Sequence, residues 1–209
     1  MHITLLGATG PTGQQVLTQA LESGHTITVL VRDPSRLPQR DDSRVTVITG
    51  DATVAGDVTR AVGRGPVISA LGPGKDFKST LATRAVAAVL PSMAASEANR
   101  LVWLSALGAG SSSQQQSVIQ GAASKMLMSR LMADKGVADD DLAASDVDCT
   151  IALPVMLTNG PRTGTYKTFD ADTHVGRVGG RISRADVADF LLAAATGERP
   201  AQRRVILTH

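Results

Sequence analysis

Apolar and polar positions alternate along this chain in blocks of two kinds. Short apolar, β-branched runs predict strands over residues 3–6, 26–31, 45–48, 67–71, 100–104, 150–153 and 204–207. Between them, apolar residues recur at helical spacing and predict helices over 14–22, 53–62, 77–98, 118–132, 137–144 and 184–196. Gly24 marks the stop of the first helix, and Gly136 falls between the fourth and fifth. A polar patch over 108–116 and the glycine-rich stretch 158–180 predict irregular chain. Strands that alternate with helices imply a doubly wound parallel sheet, with ligand in the crevice at the strands' carboxyl ends. No linker or internal repeat divides the sequence. The expectation is therefore one α/β domain over 1–209, with 154–183 contributing the substrate side.

The segment Gly7-Ala8-Thr9-Gly10-Pro11-Thr12-Gly13 lies between the first strand and the first helix. A strand, a glycine turn and a helix N-terminus form the site that binds the pyrophosphate of a dinucleotide. Gly7 permits the sharp turn, Gly10 lets backbone amides approach phosphate, and Gly13 lets the helix pack closely on the sheet. Thr9 and Thr12 offer hydroxyl donors to the same anion, and Pro11 suits a first helical turn.

The end of the second strand bears on which dinucleotide binds. An NAD site offers Asp or Glu there to the ribose hydroxyls. This strand ends in Val31-Arg32-Asp33-Pro34-Ser35-Arg36. If the chain turns helically, Arg32 and Arg36 converge, and two guanidinium forks suit the 2′-phosphate of NADP. Asp33 keeps NAD open, because it could accept from ribose hydroxyls or simply cap the turn at Pro34. Asp51, followed by Ala52, could accept from the adenine amino group or cap its own helix. Leu71 and Gly72, in Leu71-Gly72-Pro73-Gly74, could let the backbone lie against ribose and pyrophosphate.

Composition narrows the partners. The net charge is +2, and no Lys/Arg run interleaves with aromatics, which argues against a nucleic-acid groove. Cys149 is the single cysteine and the four histidines are scattered, so neither a disulfide framework nor a metal site is expected. The first strand starts within two residues of Met1, and no apolar run reaches the roughly 18 residues that span a bilayer. A cytoplasmic protein with a small-molecule partner, monomeric or homodimeric, is expected.

The glycine segment from Leu6 to Gly13, the run Val29 to Pro38 and Gly50-Asp51-Ala52 resemble the atypical short-chain dehydrogenase/reductases. The nearest resemblance is to the NmrA-like branch that includes the flavin and biliverdin reductases. Leu104-Ser105-Ala106, Pro161 to Tyr166 and Ile182 to Ala188 extend the likeness over nearly the whole chain. It implies a Rossmann fold, NADP held by the glycine loop and the Arg32/Arg36 pair, and reduction of flavins, tetrapyrroles or small carbonyl compounds. Ser105 matches a serine that the family places beside the nicotinamide, where it can hold a substrate oxygen; it could equally satisfy a backbone group at the strand end. Lys135 matches a lysine recurrent in the branch, and a surface lysine would look the same.

The Tyr-x-x-x-Lys pair of typical short-chain dehydrogenases is absent: Tyr166 is the only tyrosine, with Lys167 adjacent to it. Met156 falls roughly where the branch can carry a pocket histidine. An NADPH-dependent reductase of a small apolar, planar or carbonyl acceptor is the first expectation. A non-catalytic NADP(H) sensor is the alternative. A sugar-nucleotide epimerase would need the missing Tyr/Lys pair.

Overall fold

The computed structural model describes residues 1–73, 80–110, 122–198 and 203–209; of 122–128 only the backbone is described. Strand β1 (His2–Leu6) is at the centre. It pairs in parallel with β2 (Thr26–Val31), His2 opposite Thr26, and on its other edge with β4 (Val67–Ser69), Thr4 opposite Val67. A strand bonded on both edges and covered on both faces has no solvent side, so even Thr4 is buried there, its hydroxyl donating to the Ala61 carbonyl at 3.2 Å. Among the described residues the sheet has eight strands. Their order is β3 (Val45–Thr49), β2, β1, β4, β5 (Leu101–Leu104), β6 (Cys149–Pro154), β10 (Arg204–Thr208) and β8 (Lys167–Asp170). The first six are parallel in the order 3-2-1-4-5-6, that of a doubly wound dinucleotide-binding sheet. β10 adds in parallel to β6, and β8 closes that edge antiparallel.

Two helical layers cover the sheet. Helix α1 (Pro11–Glu22) packs with α5 (Arg184–Thr196), while α2 (Ala55–Ala61), α3 (Leu81–Ala94) and α4 (Ala122–Ala144) pack in series. α1 begins at Pro11, three residues before its expected start, because proline at a first helical position loses no hydrogen bond. It buries Val16, Leu17, Ala20 and Leu21, two i,i+4 pairs on one stripe, each large side chain contributing about 1.5–3 kcal/mol. Gly24 ends it with φ at +77°. Gln19, buried on the same helix, donates to the Ala185 carbonyl at 2.9 Å and ties α1 to α5.

Three expectations change. The helices expected over 118–132 and 137–144 are one helix from Ala122 to Ala144, which Gly136 does not break, while residues 118–121 lie outside the described chain. A Cβ on Gly136 would lie 2.7 Å from the Gly110 amide nitrogen, so this glycine serves a close approach between the loop after β5 and α4. The stretch 158–180 contains β8, and around it β7 (Met156–Thr158) pairs with β9 (Arg181–Ser183). These strands are three or four residues long and pair with distant partners, so local periodicity carries no sign of them. The helix expected over 77–98 ends earlier, at Ala94, and its residues 77–79 lie outside the described chain, as do 111–116 of the polar patch.

Candidate cofactor site and active site

The order of strands reverses between β1 and β4, and the glycine loop sits there, at the carboxyl end of β1. Gly7 has φ at +84°, and a Cβ on it would come within 2.7 Å of the Ala70 carbonyl oxygen. A Cβ on Gly13 would lie 2.0 Å from the Gly7 carbonyl oxygen, so α1 rests directly on the loop backbone. Gly10 differs. Its φ of −81° suits any residue, and a Cβ there would be 3.3 Å from the nearest described atom, the Gly7 carbonyl oxygen. It is the N-cap of α1, and no side chain caps that end. The first amides of α1 are thus left for an anion, with the positive end of the helix dipole behind them. Thr12 is buried, Thr9 half-buried and Pro11 exposed beside them.

Arg32 follows β2 directly. Asp33 accepts from the Ser35 hydroxyl at 2.6 Å and the Ser35 amide at 3.0 Å, capping the short 3-10 turn Pro34–Arg36. The hydroxyl, then the amide, hold its carboxyl below the usual carboxylate range. That is the capping role, and both bonds go to Oδ1. Arg32 and Arg36 are exposed, and neither guanidinium has a hydrogen bond or ion pair among the described residues. By contrast Arg44 is engaged by Asp42 and the Leu21 carbonyl, and Arg40 by Asp41 and Ser35. Asp51 also has a local role: its Oδ1 accepts from the Thr53 amide (2.8 Å) and hydroxyl (2.9 Å). The amide bond first lowers its carboxyl pKa. Ala52 is buried, Leu71 half-buried and Gly72 exposed; Gly74 lies outside the described residues.

At the carboxyl end of β5, Ser105 is buried, and its hydroxyl lies 2.6 Å from Asp139 Oδ2 on α4. The backbone-satisfying role for Ser105 is therefore not what its hydroxyl does. The other Asp139 oxygen is buried without a partner among the described residues. Burial pushes the Asp139 carboxyl up to about 6, against the opposing pull of the Ser105 bond and Lys135. Lys135 is no surface lysine. It is 9% exposed and donates to the Leu104 carbonyl at 3.4 Å, and burial lowers its pKa despite the Asp139 and Asp134 carboxylates nearby. Asp134 accepts from the Ala82 and Thr83 amides and the Thr83 hydroxyl, which clamps α4 to the first turn of α3. Between these helices lies a narrow recess lined by Leu71, Pro73, Trp103, Leu131, Asp134 and Lys135 among others. The Trp103 ring nitrogen is buried and unpartnered among the described residues. Met132 is half-buried, and the side chains of Met126, Leu127 and Met128 lie outside the described residues.

A sequence family described as NAD(P)H-binding matches residues 7–198. The chain belongs to that NAD(P)H-binding family. Its fold is that of oxidoreductases of known structure. The anaerobilin reductase ChuY of Escherichia coli superposes with a TM-score of 0.83 at 23% identity, covering 100% of this chain and 97% of that one. The oxidoreductase YlbE of Lactococcus lactis gives 0.83 at 20%, covering 100% and 91%. A short-chain dehydrogenase/reductase of Veillonella parvula in complex with NADP gives 0.80 at 21%, covering 100% and 94%. The glycine cradle, the uncapped helix end and the idle arginines are a donor set that fits such a dinucleotide. Among the described residues no helix is long and apolar enough to cross a membrane.

Reading the sequence did not single out Asp139, Asp134 or Asp186. The Asp186 carboxylate, on α5, accepts from the Thr163 amide (2.7 Å), the Gly164 amide (2.9 Å), the Ser183 hydroxyl (2.9 Å) and His209 Nε2 (3.0 Å). It pins the loop after β7, beside the expected substrate side. Tyr166 is committed elsewhere, its hydroxyl donating to Asp189 at 2.8 Å. Met156 is 52% exposed on β7.

Proposed function

We propose that the chain is an NADPH-dependent reductase of a small apolar, planar or carbonyl acceptor of flavin, quinone or tetrapyrrole type. The observation that carries this reading is a shared edge. The glycine cradle, the unengaged Arg32 and Arg36, and Ser105 stand at the carboxyl ends of the parallel strands β1, β2 and β5 of one sheet. In it, Gly7, Thr9, Gly10, Pro11, Thr12 and Gly13 hold the pyrophosphate, and Arg32 with Arg36 hold the 2′-phosphate. Asp51 and Ala52 flank the adenine, and Leu71 and Gly72 lie against ribose and pyrophosphate. The bound reduced nicotinamide supplies the hydride. Ser105 holds the acceptor's oxygen, and Lys135 lies in the recess wall on the same side. Working in the cytoplasm as a monomer or homodimer, such an enzyme would take a diffusible substrate.

Two observations favour the alternative, an NADP(H) sensor without turnover. The Ser105 hydroxyl is already bonded to a carboxylate, and Met156 brings no proton donor. NADPH oxidation with a panel of free flavins, quinones, tetrapyrroles and aldehydes separates the two. Saturable turnover of one class is expected. Tight NADPH binding with no turnover on any acceptor would overturn the reductase reading in favour of the sensor.

A further inference from the structure

We propose that Asp139 is the positioning residue and proton store behind Ser105. This rests on the reductase reading and deepens it by naming where the second proton comes from. Three observations place it. Asp139 is 3% exposed, so its carboxyl group exchanges with little besides its neighbours. Its Oδ2 stands 2.6 Å from the Ser105 hydroxyl, a distance typical of a hydrogen bond involving a charged or shared proton. Its Oδ1 is buried with no partner among the described residues, an arrangement that is expensive for a carboxylate and mild for a carboxylic acid.

The protonation state of Asp139 decides what Ser105 can do. When Asp139 is a carboxylate it can only accept, so the Ser105 proton points at it and Ser105 offers a substrate only lone pairs. When Asp139 is protonated it donates to Ser105, whose own proton is then free to point into the crevice. In the reductive step the bound reduced cofactor would supply the hydride and be oxidised, and the acceptor that gains the hydride also needs a proton. The Ser105 O–H bond breaks as the acceptor's new O–H or N–H bond forms. The Asp139 O–H bond breaks as Ser105 regains its proton, leaving a carboxylate. After product leaves, water in the crevice returns a proton along the same pair. Asp139 thus supplies the donor that the missing Tyr-x-x-x-Lys pair leaves unfilled.

The groups that face Asp139 set when this works. Lys135 and Asp140 act from its own helix, Arg204 from β10, and Ser105 from the loop after β5, with Cys149 on β6 close enough to feel its charge. Burial is the largest influence and favours the protonated form, so a store of protons persists to near-neutral pH.

The test is a carbon-13 carboxyl titration of the free protein, with the Asp139 signal assigned by its loss in Asp139→Asn, read together with the pH profile of kcat. The expected midpoint is about 6. Ser105→Ala should displace it upward, because the bond it removes stabilises the carboxylate. A midpoint near the ordinary aspartate value, or one that Ser105→Ala leaves in place, would overturn the proposal without any need for turnover. In wild type, kcat should fall as pH rises through the Asp139 midpoint. Asp139→Asn should lose that limb and about tenfold to a hundredfold in kcat, with NADPH affinity retained as evidence of an intact site. Asp139→Glu should restore a titrating limb. A pH profile for Asp139→Asn that matches wild type would also overturn the proposal. Failure of the reductase reading looks different, since wild type would then turn over no acceptor at any pH while the shared titration of Asp139 and Ser105 is still read.

Discussion

Gly10 and Gly13 sit three residues apart in one loop, yet only Gly13 is pressed against backbone, and a paired substitution separates packing from the cofactor role proposed for Gly10. In Gly13→Ala the new methyl group would be 2.0 Å from the Gly7 carbonyl oxygen. Since that oxygen belongs to backbone, α1 must move off the loop by about an ångström or more. Overpacking of this kind costs about 1–3 kcal/mol, here at the upper end, against a gain of at most about 1 kcal/mol from placing alanine in a helix. A net loss of about 2 kcal/mol corresponds to a fall in Tm of about 4–8 °C for a chain of this size. In Gly10→Ala the backbone is already extended and the nearest described atom is 3.3 Å from the new Cβ. Exchanging glycine for alanine at an N-cap costs about 0.5–1 kcal/mol, so Tm should fall by no more than about 4 °C. Cofactor affinity should reverse that ranking. In the proposed cradle the methyl of Gly10→Ala would occupy the space through which phosphate meets the α1 amides, and loss of one charge-assisted hydrogen bond costs about 1.5–3 kcal/mol. That is roughly a tenfold to hundredfold weaker Kd for NADPH and NADH alike. Differential scanning fluorimetry on the free proteins and titration calorimetry with both cofactors measure the two effects. Unchanged affinity in Gly10→Ala would refute the cradle, and an unchanged Tm in Gly13→Ala would refute the packing argument.

The remaining predictions address cofactor choice, turnover and acid stability. Arg32→Ala with Arg36→Ala should weaken NADP by about 1.5–3 kcal/mol per lost charged contact and leave NAD nearly unchanged; equal losses by calorimetry would mean that the pair does not read the 2′-phosphate. Ser105→Ala should lower kcat about tenfold to a hundredfold with little change in NADPH affinity, and steady-state rates equal to wild type across the acceptor panel would return Ser105 to a structural role. Asp186 gives a pH-dependent stability. Burial alone would raise its carboxyl, but the Gly164 and Thr163 amides, with His209 and Ser183, outweigh it and hold the group at about 2. A depressed carboxyl stabilises the fold above its ordinary pKa, and that contribution, about 2 kcal/mol, is lost as pH falls from about 4 through about 2. Urea midpoints should show Asp186→Asn destabilised at pH 5 and closing on wild type at about pH 2; a gap constant over that range would contradict the assignment.

The sequence by itself determined the doubly wound sheet and the position of the glycine loop, because both depend on local order. Apolar runs such as 26–31 must be buried on both faces, and glycines that follow a strand and open a helix have few other uses. It also brought Ser105 to a strand end and Arg32 and Arg36 to a turn. Tertiary structure decided what those residues touch. Asp139 stands 34 positions from Ser105, and an exposed helical aspartate would have the same neighbours in sequence. For Lys135 the sequence leaves a site lysine and a surface lysine indistinguishable until α3 and β5 are found to cover it. Gly136 resembles a helix break until the backbone of Gly110 is found against it. β7, β8 and β9 owe their existence to partners far along the chain, and Asp186 gathers donors from three separate segments. Periodicity reports only whether a position is buried. Hydrogen-bond partners and carboxylate environments arise from contacts between distant segments, and those exist only once the chain has closed on itself.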